Sequence, residues 1–237
     1  MDYIKTSLDE QNNKGQIIGR VLDLPKLSHE IEGESFYELR VEVERLSKAK
    51  DIIPITISER LIDNNNGLKI GELVYFTGEY RSYNKLENDK SKLILHFFAK
   101  EIIRQENIDS SINLNNTNEV KLIGYICKKP IYRKTPFDRE ICDILLAVNR
   151  PNYNKSDYIP CILWGRNARF MEAQSIGTKV EIIGRIQSRS YNKLSEKGDI
   201  EERVAYEVSC QKLSILSKLS DIKISKNDDS KSTSVSV

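Results

Sequence analysis

The sequence predicts an all-β fold with short helices, organised as two tandem five-stranded barrels. Two observations favour this fold class. The two halves of the chain repeat one another, and the second half contains five apolar runs of strand length with one helix-like insert between the third and the fourth. This order of elements is typical of the OB-fold, a small, partly open Greek-key barrel.

The repeat aligns the halves at an offset of 105 residues and, after one inserted residue, at an offset of 106. The aligned pairs include Gly19 with Gly124, Gly71 with Gly177 and Gly78 with Gly184. Two further inserted residues superimpose the hexapeptide RSYNKL, which occurs at 81–86 and at 189–194. We therefore expect the hexapeptide to mark one place in both copies, after the fourth strand and in the long loop to the fifth.

The strands are clearest in the second copy. The five candidates are VKLIGYIC, ICDILLAV, YIPCILW, TKVEIIGRI and RVAYEVSCQKLSIL, with the helix-like GRNARFMEAQSIG after the third. The first copy has the same order, with ERLIDNNNG as its shorter helical insert. We predict a first OB domain at 1–104, a linker at 105–118, a second OB domain at 119–217 and a disordered polar tail at 218–237.

Composition excludes several function classes. No apolar run approaches the ~18 residues of a membrane span, and the opening MDYIKTSLDE does not resemble a secretion signal, so a cytoplasmic protein is expected. The four cysteines form no C-x-x-C pair, which favours buried cysteines on strands over a zinc site or disulfides. Without a P-loop, a G-x-S-x-G motif or a metal-ligand cluster, we predict a non-catalytic protein that needs no cofactor and no metal.

The third strand of the second copy separates a core face from an open face. Alternation places Ile159, Cys161 and Leu163 in the core. The opposite face then carries Tyr158, Pro160, Ile162 and Trp164, on the side of the barrel that OB-folds use for oligonucleotides and oligosaccharides. Bases stack on such aromatic rings irrespective of sequence. The alternative is that Trp164 packs under the following helix.

Charge differs between the copies. Residues 1–113 carry 16 Lys and Arg against 20 Asp and Glu, a net −4, whereas residues 119–217 carry 17 against 12, a net +5. Basic side chains of this kind supply most of the non-specific affinity for nucleic acid. The second copy is therefore the stronger candidate for a nucleic-acid interface.

The first copy keeps the core pattern but loses most of the proposed binding face. Tyr158 aligns with Ile52, and Trp164 aligns with Ser58. The candidates that remain in the first copy are Arg20, Arg60, Arg81, Tyr83 and Lys85.

The second copy resembles the bacterial single-stranded-DNA-binding protein family. Three stretches carry the resemblance: TPFDREICDILLAVNR, DYIPCILWGRNAR and GTKVEIIGRIQSRSYNK. The resemblance implies an OB-fold that binds single-stranded DNA without sequence preference and has no catalytic centre. It matches Tyr158, Trp164 and Tyr191 to the family's stacking aromatics, and Arg133, Arg166 and Arg189 to its basic contacts. Tyr125, Lys134 and Lys193 complete the predicted site.

The resemblance also bears on partners. Typical members carry one OB domain and form tetramers, so a chain with two domains would reach four barrels as a homodimer. The family's acidic tail with an apolar tip has no counterpart in DDSKSTSVSV, so recruitment of repair enzymes through such a tip is not expected. Two alternatives stay open: a protein-interaction module of a replication or plasmid-maintenance complex, and an RNA-binding OB protein.

Overall fold

The computed structural model describes residues 12–62, 67–87, 90–104, 117–151, 154–194 and 200–217. The predicted tail at 218–237 and residues 105–116 of the predicted linker lie outside these ranges. Asn118, the last residue of that linker, is the first residue of a strand.

In the part that the structure describes, the first barrel contains six strands and one short helical turn. The elements are β1 (Asn13–Val21), β2 (Lys26–Ile31), β3 (Glu34–Glu44), β4 (Lys50–Ser58), a 3-10 helix (Glu59–Leu61), β5 (Leu73–Glu87) and β6 (Lys90–Arg104). β1 pairs antiparallel with both β5 and β3, and β4 pairs parallel with β6, which closes the barrel. Of the predicted helical insert ERLIDNNNG, only the 3-10 turn is formed in the described part, and 63–66 lie outside it.

The second barrel repeats this plan. The elements are β7 (Asn118–Ile126), β8 (Ile131–Lys134), β9 (Glu140–Asn149), β10 (Ser156–Trp164), α1 (Gly165–Glu172), β11 (Lys179–Leu194) and β12 (Ile200–Ser217). β7 pairs with β11 and β9, and β10 pairs parallel with β12. The prediction of two tandem OB-folds is confirmed, with β2 and β8 as short additional strands that pair with β3 and β9.

The residues that strand alternation places in the core are buried in both barrels, as predicted. Ile159, Cys161 and Leu163 of β10 are buried, and so are the corresponding isoleucines of β4. Each fully buried side chain of this size contributes roughly 1.5–3 kcal/mol relative to exposure. Cys142 and Cys210 are also buried and unpaired, as small hydrophobic side chains would be.

Two glycines in equivalent positions allow the long strands to cross their neighbours closely. A Cβ on Gly78 would lie 2.1 Å from the carbonyl oxygen of Phe98, and one on Gly184 would lie 2.3 Å from that of Ser209. Both glycines stand at a register shift in their ladder. The repeat of glycine at this offset therefore follows from backbone packing.

The two barrels form one twelve-stranded sheet because β1 pairs antiparallel with β7. The ladder runs from Asn13 opposite Leu122 to Ile17 opposite Asn118. This pairing relates the barrels by an approximate two-fold axis, since each barrel contributes the same strand to it.

Buried asparagines begin both strands of this central pair. The Asn13 amide donates to the carbonyl of Tyr80 at 2.7 Å and accepts from the Tyr80 amide at 2.9 Å. Asn118 makes the same two bonds with Ile186, at 2.7 and 2.9 Å. Each asparagine thereby ties the start of its strand to the long strand of its own barrel.

A buried carboxylate in each barrel holds the long hairpin of the other. Asp157 of β10 accepts two hydrogen bonds from Arg150, at 2.9 and 2.7 Å, and one from the backbone amide of Ser82 at 2.7 Å. The Ser82 hydroxyl accepts the Tyr158 amide at 2.7 Å, and Arg150 donates to the Ser82 carbonyl at 3.0 Å. We call this group the Asp157 clip.

The reciprocal group is the Asp51 clip. Asp51 of β4 accepts from Arg45 at 2.6 and 2.5 Å and from the Ser188 amide at 2.7 Å. The Ser188 hydroxyl accepts the Ile52 amide at 3.2 Å. Arg185 adds a longer contact to Asp51 at 3.4 Å, which the Asp157 clip does not have among the described residues. The hydrogen bond from Arg45 to Asp51 is the main cause that raises the pKa of Arg45.

The clips correct the expected alignment of the hexapeptide. Ser82 has the structural role of Ser188, not of Ser190, and pairing of β11 with β12 continues without an inserted residue from Gly184 to Leu194. The hexapeptide therefore lies two residues further along the strand in the second barrel. It is also part of β5 and β11 rather than of a loop, because each connection is a long hairpin.

We predict that Asp157→Ala lowers the free energy of unfolding by about 3–5 kcal/mol, because it leaves the largely buried Arg150 without this carboxylate. Urea unfolding followed by circular dichroism measures the change. Glu44→Ala, which removes an exposed pair with Lys48, is the control and should cost much less. Equal losses in the two variants would contradict a structural role for the clip.

Candidate nucleic-acid interface

Three strands of the second barrel present two tyrosines on their outer face. Ala147 of β9 lies opposite both Tyr125 of β7 and Tyr158 of β10. Tyr158 is 43% exposed and Tyr125 is half-buried. The small side chain of Ala147 leaves space between the two rings, so a flat group could lie across this face.

Trp164 ends β10 on the same face. The indole is 38% exposed, and its Nε1 donates to the Ser209 hydroxyl of β12 at 3.1 Å. This hydrogen bond fixes the ring over the neighbouring strand while part of the ring stays open. The hydrogen bond to β12 favours the open position over packing under α1.

Ile162 does not share the open face as predicted, because it is only 5% exposed. It lies between two neighbouring strands, opposite Asp143 of β9 and level with Ser209 of β12. Ile162 is not part of the main core cluster. Its side chain therefore points outward, as predicted, but neighbouring side chains cover it. The open aromatic surface of β10 is thus limited to its two ends.

Basic side chains border this surface. Arg133 of β8 is exposed and pairs with Asp143 at 2.8 Å, and Lys134 pairs with Asp138 at 3.0 Å. Arg166 is exposed in the first turn of α1. Exposed ion pairs of this kind are weak, so a phosphate group can compete for the same cations.

The β11–β12 hairpin carries the remaining predicted contacts. Arg189 and Tyr191 are exposed, and two residues apart on one strand they share a face. The guanidinium carbon of Arg189 lies 5.9 Å from the centroid of the Tyr191 ring. The side chain of Lys193 lies outside the described residues.

In the first barrel the predicted auxiliary residues separate into two groups. Arg81, Tyr83 and Lys85 share the outer face of β5. Arg20 lies at the other end of β5, level with Leu73, and Arg60 pairs with Glu34 at 2.9 Å. The structure therefore brings three of the five together.

Sequence reasoning missed a row of aromatic rings on the first barrel, which we call the ring row: His29 of β2, Phe36 of β3 and Phe98 of β6. The His29 and Phe36 rings are stacked with centroids 5.1 Å apart, and Phe36 and Phe98 are 5.9 Å apart. The guanidinium of Arg81 lies 4.2 Å from the centroid of Phe98. The sequence does contain a sign of this row, because strand alternation places one aromatic of ESFYELR and one of HFFAK on the outer face.

His96 lies beside this row but does not add a positive charge at neutral pH. Burial is the largest cause that lowers its pKa to about 4, and the nearby Arg81 acts in the same direction. Its Nδ1 lies 2.5 Å from the Thr56 hydroxyl, and its ring meets Tyr83 edge-on at 5.6 Å. His96 therefore supplies no charge for a phosphate contact on this face.

The model of the single-strand binding protein family matches residues 117–216, which cover the second barrel up to the last residue of β12. The chain is 38% identical over 81 residues to single-stranded DNA-binding protein B of Bacillus subtilis, an alignment that spans 31% of this chain and 71% of that protein. The chain belongs to the single-strand binding protein family. Single-stranded DNA-binding protein 1 of Streptococcus pyogenes is 32% identical over 105 residues, which are 42% of this chain and 76% of that protein.

Other family relatives are matched over a smaller share of their length, such as 63% of single-stranded DNA-binding protein 1 of Lactococcus lactis. The similarity to the solved wild-type single-stranded DNA binding protein from Thermus aquaticus covers 87% of this chain and 93% of that one, with a TM-score of 0.62 and 19% identity. At 19% identity this similarity supports only the fold, and it covers both barrels of the present chain.

No described helix is long and apolar enough to cross a membrane. Within the described ranges, no group of three or more His, Cys, Asp or Glu side chains could hold a metal ion.

Proposed function

We propose that the chain binds single-stranded DNA, largely without sequence preference, and that the second barrel is the main binding domain. The observation that carries the proposal is the outer face of β10, where exposed Tyr158 and Trp164 stand beside exposed arginines. The family match covers this barrel, and the matched relatives are named single-stranded DNA-binding proteins.

The mechanism needs binding and no bond breakage, so we propose a non-catalytic protein that holds DNA for replication, recombination or repair in the cytoplasm. Tyr158, Trp164 and Tyr191 would stack on bases, each stack contributing about 1–3 kcal/mol for any base. Arg133, Lys134, Arg166 and Arg189, with Lys193, would contact phosphates. Affinity should therefore fall steeply as salt rises, because phosphate contacts release counterions.

The two barrels bring their candidate residues together at the Asp157 clip. The amide of Tyr158 donates to Ser82, which lies between Arg81 and Tyr83 on β5. Arg81, Tyr83 and Lys85 of the first barrel would therefore extend the path of a strand bound at Tyr158. We assign Arg20 and Arg60 at most a peripheral role. This division corresponds to a first OB domain at 1–104 and a second at 119–217.

We predict that Trp164→Ala weakens binding to a fluorescently labelled oligo-dT by a factor of about ten to a hundred, because one base loses its stacking partner. Fluorescence anisotropy at two salt concentrations measures the change. Phe170→Ala removes another exposed aromatic, on α1, and is the matched control with little expected effect. Weak binding of the wild type that is indifferent to Trp164 would instead indicate a protein-interaction surface.

We further propose that the chain forms a homodimer with four barrels. The β1–β7 pairing already places two barrels around one approximate two-fold axis, and a second copy would double this unit. Light scattering should then give about twice the chain mass of 27.3 kDa. A mass equal to that of one chain would refute the dimer without affecting the binding proposal.

A further inference from the structure

We propose that the first barrel carries its own base-stacking surface, formed by the ring row with Arg81, and that a single strand leaving Tyr158 continues across it. The inference rests on the proposed function of the second barrel. The surface proposed here is a different one, because His29, Phe36 and Phe98 do not align with the aromatic residues of the second barrel's site.

The first line of evidence is a displaced aromatic. In the second barrel the ring belongs to β10, where Trp164 donates a hydrogen bond to Ser209 of β12. In the first barrel the positions are reversed, since Ser58 stands on β4 in the place of Trp164 and Phe98 stands on β6 in the place of Ser209. Each barrel thus keeps one large ring over the same pair of parallel-paired strands. Alignment by position alone hides this, because the ring has moved by one strand.

The second line of evidence is the geometry of the row. His29, Phe36 and Phe98 belong to three different strands, and centroid distances of 5.1 and 5.9 Å make them a continuous surface. His29 is exposed and the two phenylalanines are half-buried, and none of the three belongs to the core cluster. Rings in this position offer apolar faces to a ligand on the outside of the barrel.

The third line of evidence is continuity with the second barrel. Tyr158 is hydrogen-bonded to Ser82, the next residue along β5 is Arg81 on the opposite face, and Arg81 covers Phe98 at 4.2 Å. The β10 tyrosine and the ring row are therefore close to each other along β5. The linking residue Ser82 is itself buried, so the bound strand would pass over this junction between the two surfaces.

Charge favours nucleic acid at one end of the row. Around Phe98, Arg81 and Lys100 share the single carboxylate of Glu79. Phe36 stands on β3 between Glu34, which pairs with Arg60, and the exposed Glu38. At the other end, Glu30 and Glu32 on the β2–β3 hairpin are exposed and repel phosphate. We therefore place the phosphates beside Arg81 and Lys100 at Phe98, with the Phe36 ring next along the row and His29 as the limit of the bound strand.

The test is the double variant Phe36→Leu with Phe98→Leu, which keeps apolar bulk and removes both aromatic faces. One OB-fold covers about 4–16 nucleotides, so an oligo-dT of about 15 residues fits the second barrel and one of about 35 needs both barrels. We expect the variant to lose about tenfold in affinity for the long oligonucleotide and to keep its affinity for the short one. The number of nucleotides that one chain covers on poly-dT should fall as well.

Leu46→Ala, a change of an exposed side chain in a loop of the same barrel, is the control, and thermal unfolding of each variant reports whether the fold is kept. Unchanged affinity for the long oligonucleotide in a folded double variant would overturn the inference and mark the row as a protein contact. Trp164→Ala measured alongside separates the two proposals. If Trp164→Ala weakens DNA binding and the double variant does not, the ring-row proposal is refuted and the proposed function of the second barrel stands.

Discussion

Pairing of β1 with β7 is the constraint on which the rest of the structure depends. It converts two small barrels into one sheet and fixes their relative orientation through backbone hydrogen bonds. The Asp51 and Asp157 clips then hold the long hairpin of each barrel against a strand of the other. Because a buried carboxylate needs all of its partners, this arrangement tolerates little sliding or rotation between the barrels.

The symmetric scaffold carries two different surfaces. Both barrels keep apolar side chains at the core positions, the buried asparagine, the crossing glycine and the clip, which are the groups that the fold requires. Outside this set the copies diverge: the second barrel is basic and carries Trp164, whereas the first is acidic and carries the ring row. The two copies thus share the residues of the interface between them and differ on their outer faces.

The sequence predicted what depends on local alternation. The five main strands of each barrel, the core side of β10 and the exposure of Tyr158 and Trp164 follow from period two, and the structure agrees. It adds β2 and β8 and extends β5 and β11 through the hexapeptide. The sequence did not predict the clips, because the clip partners that join the two barrels are 68 to 137 residues apart along the chain and only the fold brings them together. The alignment of the hexapeptide was wrong because it followed the identical residues instead of the distance from the preceding glycine. Ser82 and Ser188, each four residues after Gly78 or Gly184, are the equivalent residues. The ring row was missed because its rings lie on strands other than the one that carries Trp164.

The most direct measurement is photochemical cross-linking of the full chain to oligo-dT containing 5-iododeoxyuridine, with the linked peptides identified by mass spectrometry. A base stacked on a ring places its iodine beside that ring, so the account predicts links to Trp164, Tyr158 or Tyr191 on the outer face of the second barrel. Efficient cross-linking that leaves the β10 and β11 peptides unmodified would contradict it, because the strand would then follow another path over the protein.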